Sequence, residues 1–433
     1  MYHRRMKKVL EKLKNEEFKK KVLLKESAFS RKQNMPFEDM VKFMIRDNKK
    51  STSNELIDYF KLTNNIENTI TKQAFSFQRQ NISYEVFNLL NEEFIEDFYT
   101  EENYKTYHGY VVIGTDGTNI EIPNNSKLKE IFGTAKGNKL MKSPPAKASA
   151  SGFYDCLNNI MLLSEIYKYN QDEKIFLINQ IDKLIDLMDD KKLLLVFDRG
   201  YVCTELLILL SLKGVKYVFR CPNNTFNEIK TVKTKDEIIE IAVTKSKTSK
   251  FKILNKKEYI DTKIKTRLVS IELDTGEIEY LMTNLAVEEI QYSEMKDLYF
   301  KRWNIEKSFE ILKNKLQIEN IGARTENGVK QEFYACILLY NFLEDIKNQM
   351  NNDISNNKNN KYQYKINMNI LVGTLKKNLI EIINSDLKNL DDEIEKLYNQ
   401  IKRNLIAVKP NRKNPRNKTR TANKHRINHR SSF

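Results

Sequence analysis

The apolar positions of this chain change period along its length, and the changes mark its predicted segments. Residues 1 to about 105 carry short amphipathic runs at helical spacing: FEDMVKFMI, then STSNELIDYFKL with Thr52 and Glu55 placed as a capping box, then TITKQAFSFQRQN. The pair joined across TNNIEN reads either as a helix-turn-helix-like DNA reader, with Lys72, Gln73, Gln78 and Arg79 exposed, or as an all-α packing domain. From about residue 107, strands and helices alternate. YVVIGTDGTNIEIP reads as a β-hairpin with Asp116 closing its first strand, and KASASGFYD and NNIMLLSEIY continue as strands. A helix is predicted from Glu173 to Met188. KKLLLVFDRGY then supplies a continuous apolar strand, Leu193 to Phe197, typical of one covered on both faces. It sets Asp198 at its C-terminal end, before a helix around Thr204 to Leu212 and a strand in VKYVFRC.

Texture shifts again after residue 221. IIEIAV, RLVSIEL and EIEYLMTNL alternate apolar and polar residues between Lys/Thr/Asp-rich turns, which predicts antiparallel strands. Beyond YFKRWNIEKSFEILK, a long apolar helix (Val329 to Ile346), a low-complexity linker and two more amphipathic helices precede a Pro-broken basic tail. The predicted fold class is α/β: a mixed sheet with flanking helices, interrupted by an inserted antiparallel β-subdomain, with helical N- and C-terminal regions. The expected divisions are a helical DNA-binding region at 1–105, the first part of a catalytic core at 106–221, the insert at 222–288, and the second part of the core at 289–350. The linker at 351–361, the C-terminal helices at 362–404 and a disordered basic tail at 405–433 complete them.

Charge adds a partner. Lys and Arg number 74 against 58 Asp and Glu, a net +16, but the excess sits at the ends. Residues 401–433 hold eleven Lys/Arg and no acid, residues 1–25 net +7, and everything between nets −2. Acid-free basic ends suit contacts with phosphates that are independent of base sequence. The four cysteines (156, 203, 221 and 336) contain no C-x-x-C pair, so neither a disulfide framework nor a zinc site is indicated. Four histidines, of which only His108 lies near the candidate site, leave little for a Ser-His-Asp or Cys-His enzyme. No run of about 18 apolar residues occurs, and MYHRRMKK lacks a signal-peptide core, so a cytoplasmic protein without membrane contact is expected.

The most informative run is YFKRWNIEKSFEILK. On one helix, Tyr299, Arg302, Glu306 and Lys313 fall within roughly 60° of one another, beside an apolar stripe of Leu298, Ile305, Phe309, Leu312 and Leu316. Such a helix buries one flank and turns the polar one to a cleft. A solvated charged face is the plainer reading of the same residues. Likewise Asp116-Gly117 is ordinary turn chemistry, and Asp198 is well placed to cap the helix after it. Taken together, two strand-end aspartates and a helical glutamate form a pattern. Three converging carboxylates repel unless divalent cations sit among them, and hard oxygen donors suit Mg²⁺ or Mn²⁺. Two such ions about 4 Å apart serve in-line displacement at a phosphodiester.

In that order the residues resemble the DDE transposases of bacterial insertion sequences, in the "insertion sequence four" group marked by a Tyr-Arg-Glu-Lys signature. The match comprises Asp116 in GTDGT, Asp198 in FDRGY, YLMTNL at 280–285, and Tyr299, Arg302, Glu306 and Lys313, and it covers roughly residues 107 to 345. The resemblance implies a ribonuclease H-like fold with its β insert in the same place. It implies that Asp116, Asp198 and Glu306 hold two ions per active site, and that Tyr299, Arg302 and Lys313 contact DNA phosphates. Trp303 follows Arg302 as an aromatic does in members that stack on a flipped base; core packing is the alternative. Partners implied are double-stranded DNA, both element ends and target, and a second protomer in a homodimer on paired ends; the bacterial nucleoid is the implied location. The expected activity is cleavage of the element's ends and joining of the freed 3′-hydroxyls to target DNA. The alternatives are a metal-dependent nuclease that does not join, and a non-catalytic DNA-binding relative.

Overall fold

The computed structural model of the chain describes residues 2–46, 49–101, 103–135, 143–273, 276–355, 362–384 and 391–408. It divides into two compact units, Met1–Asp97 with Glu121–Leu128 and Glu310–Phe433, and Phe98–Ile120 with Lys129–Phe309.

The second unit is built on one sheet of eight strands. In chain order these are β1 (Tyr110–Glu121), β2 (Lys147–Asp155), β3 (Ile160–Lys168), β4 (Lys192–Phe197), β5 (Lys216–Cys221), β6 (Asp236–Ala242), β7 (Lys263–Glu272) and β8 (Ile278–Thr283), and in space they run β3-β2-β1-β4-β5-β8-β7-β6. β4 is parallel to both β1 and β5. Its continuous apolar sequence follows from that central place: Leu194, Leu195, Val196 and Phe197 are fully buried, and Phe197 stacks on Phe219 of β5 with ring centroids 4.3 Å apart. The helices Glu173–Met188 and Thr204–Leu212 lead into and out of β4, with the boundaries expected from the sequence.

Two expectations change. GTDGT is no hairpin, because β1 runs unbroken from Tyr110 to Glu121. A tight hairpin here needs positive φ at its centre, and neither Gly114 nor Gly117 has it. Asp116 therefore sits within a strand, two residues beyond its last pair with β4, Gly114 with Val196. The strands after residue 221 are antiparallel, as expected, yet they extend the same sheet, with β8 pairing to β5 from Val218↔Thr283 to Cys221↔Tyr280.

The first unit is helical. Its elements include Phe37–Arg46, Thr52–Leu62, Lys72–Arg79, Glu326–Ser355, Met368–Asn384 and Asp391–Lys402. Buried Arg5 ties the N-terminal helix to Asp97 (3.1 Å) and Asp345 (2.5 Å). The cap of Thr52–Leu62 is Ser51, one residue earlier than expected, accepting from the Asn54 N–H; Glu55 instead turns to Arg46 and the Lys50 N–H. Arg79, expected on a DNA-facing surface, is buried against Glu332, Gln331 and the Gly328 carbonyl. The apolar helix after the signature is longer than expected and absorbs the start of the expected linker; residues 356–361 lie outside the described residues. Of the expected basic tail, Leu405–Ala407 pairs with Tyr364–Ile366, and residues 409–433 lie outside the described residues.

Candidate active site

The second unit gathers most of the candidate side chains around one buried guanidinium. The signature run is not a single helix: it breaks into Tyr292–Phe300 and Trp303–Asn314. At the junction the backbone bonds shorten to three-residue closures, Arg302 N–H to the Tyr299 carbonyl and Ile305 N–H to the Arg302 carbonyl, each at 3.1 Å. This tightening turns Arg302 inward, leaving it 2 % exposed. Its Nη2 donates to Glu306 Oε1 at 2.7 Å and its Nη1 lies 3.8 Å from Asp116 Oδ2. The guanidinium also lies over two rings, 5.0 Å from the centroid of half-buried Trp303 and 5.9 Å from that of Tyr299.

Gly114 makes the approach of the second helix to β1 possible. A Cβ there would lie 2.9 Å from Cys156 Sγ and 3.4 Å from Ile305 Cγ2. Gly117 has a similar role, since a Cβ would fall 2.3 Å from Glu173 Oε1. Asp116, half-buried, accepts from the Gly117 N–H at 2.8 Å. Its carboxyl is pushed up to about 6, foremost by burial, with the negative charges of Glu173 and Glu306 adding and Arg302 opposing.

Asp198 follows β4 directly, half-exposed, and accepts from the Arg199 N–H at 2.7 Å. Its nearest cation is Arg220 on β5, with Nη1 at 3.9 Å; Arg220 Nε donates to Glu279 of β8 at 2.7 Å. Glu279 is held above the usual carboxylate range, mainly by burial and further by Asp198. Tyr299 is 3 % exposed, its hydroxyl makes no hydrogen bond among the described residues, and burial pushes its ionisation up. Lys313 belongs to the other unit, where its ammonium lies 3.5 Å from Glu319.

Asp116 and Glu306 thus pair with Arg302, whose charge also feels Asp198, while the ion pair that Asp198 itself makes is with Arg220. Among the described residues, no three His, Cys, Asp or Glu side chains close on a common point as a metal centre. The donor chemistry nonetheless suits a hard divalent cation: the carboxylates offer only oxygen, and Asp116 is half-buried beside the negative charges of Glu173 and Glu306. Sequence reasoning missed Arg220, Glu279, Glu173 and Tyr201, whose hydroxyl donates to Glu173 at 3.0 Å. Arg220 did leave a signal, as the one charge among the apolar residues of Tyr217 to Cys221. Glu173 left none, because nothing in its spacing ties the start of a helix to β1.

The family model of the transposase DDE domain matches residues 108–342, more than half of the chain. A curated protein of Synechocystis sp. (strain ATCC 27184 / PCC 6803 / Kazusa), the "Putative transposase for insertion sequence element IS4SA", is 28 % identical over 155 residues, 34 % of this chain and 40 % of that protein. The chain therefore spans about two fifths of the length of the curated relative it matches. Among solved structures, a piggyBac transposase synaptic complex with hairpin DNA aligns with 90 % of this chain and 82 % of that one, at a TM-score of 0.41 and 10 % identity, a likeness too distant to define the fold.

Proposed function

The chain belongs to the transposase DDE domain family, and on that premise we propose that it is a DNA transposase that cleaves the ends of an insertion sequence and joins the freed 3′-hydroxyls to target DNA. The observation that supports this most is the meeting of Asp116 and Glu306 on the Arg302 guanidinium, with Asp198 at the end of the adjoining parallel strand. Carboxyl ends of neighbouring parallel strands are where α/β sheets place their chemistry. The ribonuclease H-like reading of the sheet draws support from the same arrangement.

In this proposal Asp116, Asp198 and Glu306 hold two divalent ions, Mg²⁺ or Mn²⁺. When bound, such ions supply Lewis-acid stabilisation of the attacking and leaving oxygens of a phosphodiester. Arg302 orients two of the three carboxylates and keeps them apart, and its charge offsets the charge growing on the phosphate. Tyr299, whose buried hydroxyl has no hydrogen-bond partner among the described residues, positions that phosphate, Lys313 contacts DNA phosphate, and Trp303 offers a ring face to a displaced base. The N-terminal helices (1–105) bind the element's terminal DNA, the C-terminal helices (362–404) pair two protomers on paired ends, and the reaction takes place on the DNA of a bacterial cell.

The test is a strand-transfer assay with labelled duplexes bearing the element's own ends and a supercoiled plasmid, in Mg²⁺ or in EDTA. Label joined to plasmid, dependent on Mg²⁺ and lost in Asp116→Ala, is the expected result. Cleavage without joining would replace the proposal with a nuclease, and binding that ignores metal with no cleavage would replace it with a non-catalytic DNA-binding protein.

A further inference from the structure

The segment between β6 and β7, residues 243–262, is a lysine-rich cap that the proposed chemistry does not use. It carries six lysines against Glu258 and Asp261, a net +4, in a stretch of chain that nets −2 between its two basic ends. Two of the lysines are engaged within the protein. Lys252 pairs with Asp172 at 2.6 Å, and Lys247 donates to the Ala242 carbonyl at 2.6 Å. Lys245, Lys250, Lys256 and Lys257 are all exposed on the cap and form no ion pair among the described residues.

A merely solvated coat of lysines needs no fixed backbone, but this one has it. Glu205, 5 % exposed on the helix Thr204–Leu212, accepts the consecutive N–H groups of Lys252, Ile253 and Leu254 at 2.8 to 3.1 Å. Successive N–H groups converging on one point form an anion-binding concavity, here filled by a carboxylate of the protein itself. Beneath it Phe251 and Val243 are buried against Ile208 of the same helix, with Leu254, Tyr259 and Ile264 packed around them. The cap is thereby fastened to the helix that follows Asp198. Four exposed lysines without an ion pair among the described residues, on a segment fastened to the fold, offer positive charge that a polyanion can neutralise.

We propose that this cap binds the phosphate backbone of double-stranded DNA without reading its bases. This rests on the transposase reading, because it assumes that DNA is the polyanion handled by this unit. In the full-length protein, Lys245, Lys250, Lys256 and Lys257 are changed together to Gln, and binding to a labelled duplex of arbitrary sequence is followed by anisotropy as salt is raised. Each phosphate that a lysine no longer neutralises lowers the slope of log affinity against log salt by about 0.9, so the slope should fall by up to about 3.6 and affinity by roughly tenfold or more. The matching quadruple change to Arg keeps the charge and should restore both. Glu205→Gln weakens the anchor, and should raise hydrogen exchange at residues 252–254 and lower the affinity in step. A Gln variant that is folded by circular dichroism and binds with unchanged affinity and slope overturns the proposal. So does a loss of binding that Arg does not restore. Mg²⁺-dependent cleavage by the wild type, measured in the same preparations, separates the two ideas: a wild type that cuts while the Gln variant binds normally sinks the cap alone, and a wild type that neither binds nor cuts sinks the transposase reading.

Discussion

Two arginines hold carboxylates in the second unit, and they do so under opposite conditions. Arg302 is 2 % exposed, touches Glu306 and Asp116, and has two guanidinium nitrogens, Nε and Nη1, with no hydrogen-bond partner among the described residues. Arg220 is a third exposed and reaches Glu279 fully and Asp198 only at 3.9 Å. A buried cation with unspent donors is costly without its carboxylates, so removing one partner of this cluster leaves a charge uncompensated. Water does part of that work for Arg220. Two of the acidic trio thus pair with a buried guanidinium, and the third, Asp198, pairs at longer range with a more exposed one. On the proposed reading, in which cations and DNA enter this site, that difference puts its yielding side at Asp198.

The largest expected effect comes from the charge that Arg302 holds. Glu306→Gln keeps the shape and the hydrogen bond to Arg302 but removes a carboxylate from the proposed ion site, so end cleavage should fall by at least about 100-fold while duplex affinity stays within about twofold. Gel-based cleavage and anisotropy on one preparation read both. Equal losses of cleavage and affinity would sink the catalytic role.

Next comes Arg302 itself. Arg302→Ala leaves Asp116 and Glu306 facing each other without a counter-charge, at an expected cost of about 2–3 kcal/mol in urea unfolding, below the full penalty of a buried pair because both acids keep some contact with water. Arg302→Lys should recover only part of this, since one ammonium cannot serve two carboxylates as a forked guanidinium does. Full recovery by Lys would mean that charge alone, and not the two-armed geometry, sets the arrangement.

How much of this was legible follows from what each residue depends on. β4 and Asp198 could be read directly, because a strand buried on both faces shows it in a run of apolar residues and the next polar residue marks its end. The strands after residue 221 were equally plain in their alternation, but not their place: pairing of β8 onto β5 is a long-range choice that no local pattern encodes. GTDGT misled because Asp-Gly is usually a turn; here it stays extended, and Gly114 answers to packing instead, since a Cβ there would fall 2.9 Å from the Cys156 sulfur. The four signature positions were read as one stripe, and that stripe assumed an unbroken helix. The break at Arg302 turns that residue inward and takes Arg302 and Tyr299 out of solvent. Lys313 falls in the other unit. Arg79 failed for a related reason: its exposure was judged from its own helix, and Glu332 comes from 253 residues away.

The smallest expected effect tests the comparison itself. Arg220→Ala removes the cation nearest Asp198 and the only ion-pair partner that Glu279 has among the described residues. Glu279 has an 11 % exposed side chain, so its unpaired carboxylate is penalised; its carboxyl, already raised by burial, should rise further and take up a proton more readily. Protonation limits the damage, and the solvent around Arg220 has been screening the pair all along, so the cost should be about 1 kcal/mol, well under that of Arg302→Ala. The same substitution leaves Asp198 with less positive charge nearby. If Asp198 is the yielding side of the site, the Mg²⁺ concentration needed for half-maximal cleavage should shift by only a few-fold in Arg220→Ala. Urea unfolding and a Mg²⁺ titration of cleavage measure the two effects separately. Should Arg220→Ala prove as destabilising as Arg302→Ala, burial is not what distinguishes the two arginines, and the acidic trio is held with equal firmness on both sides.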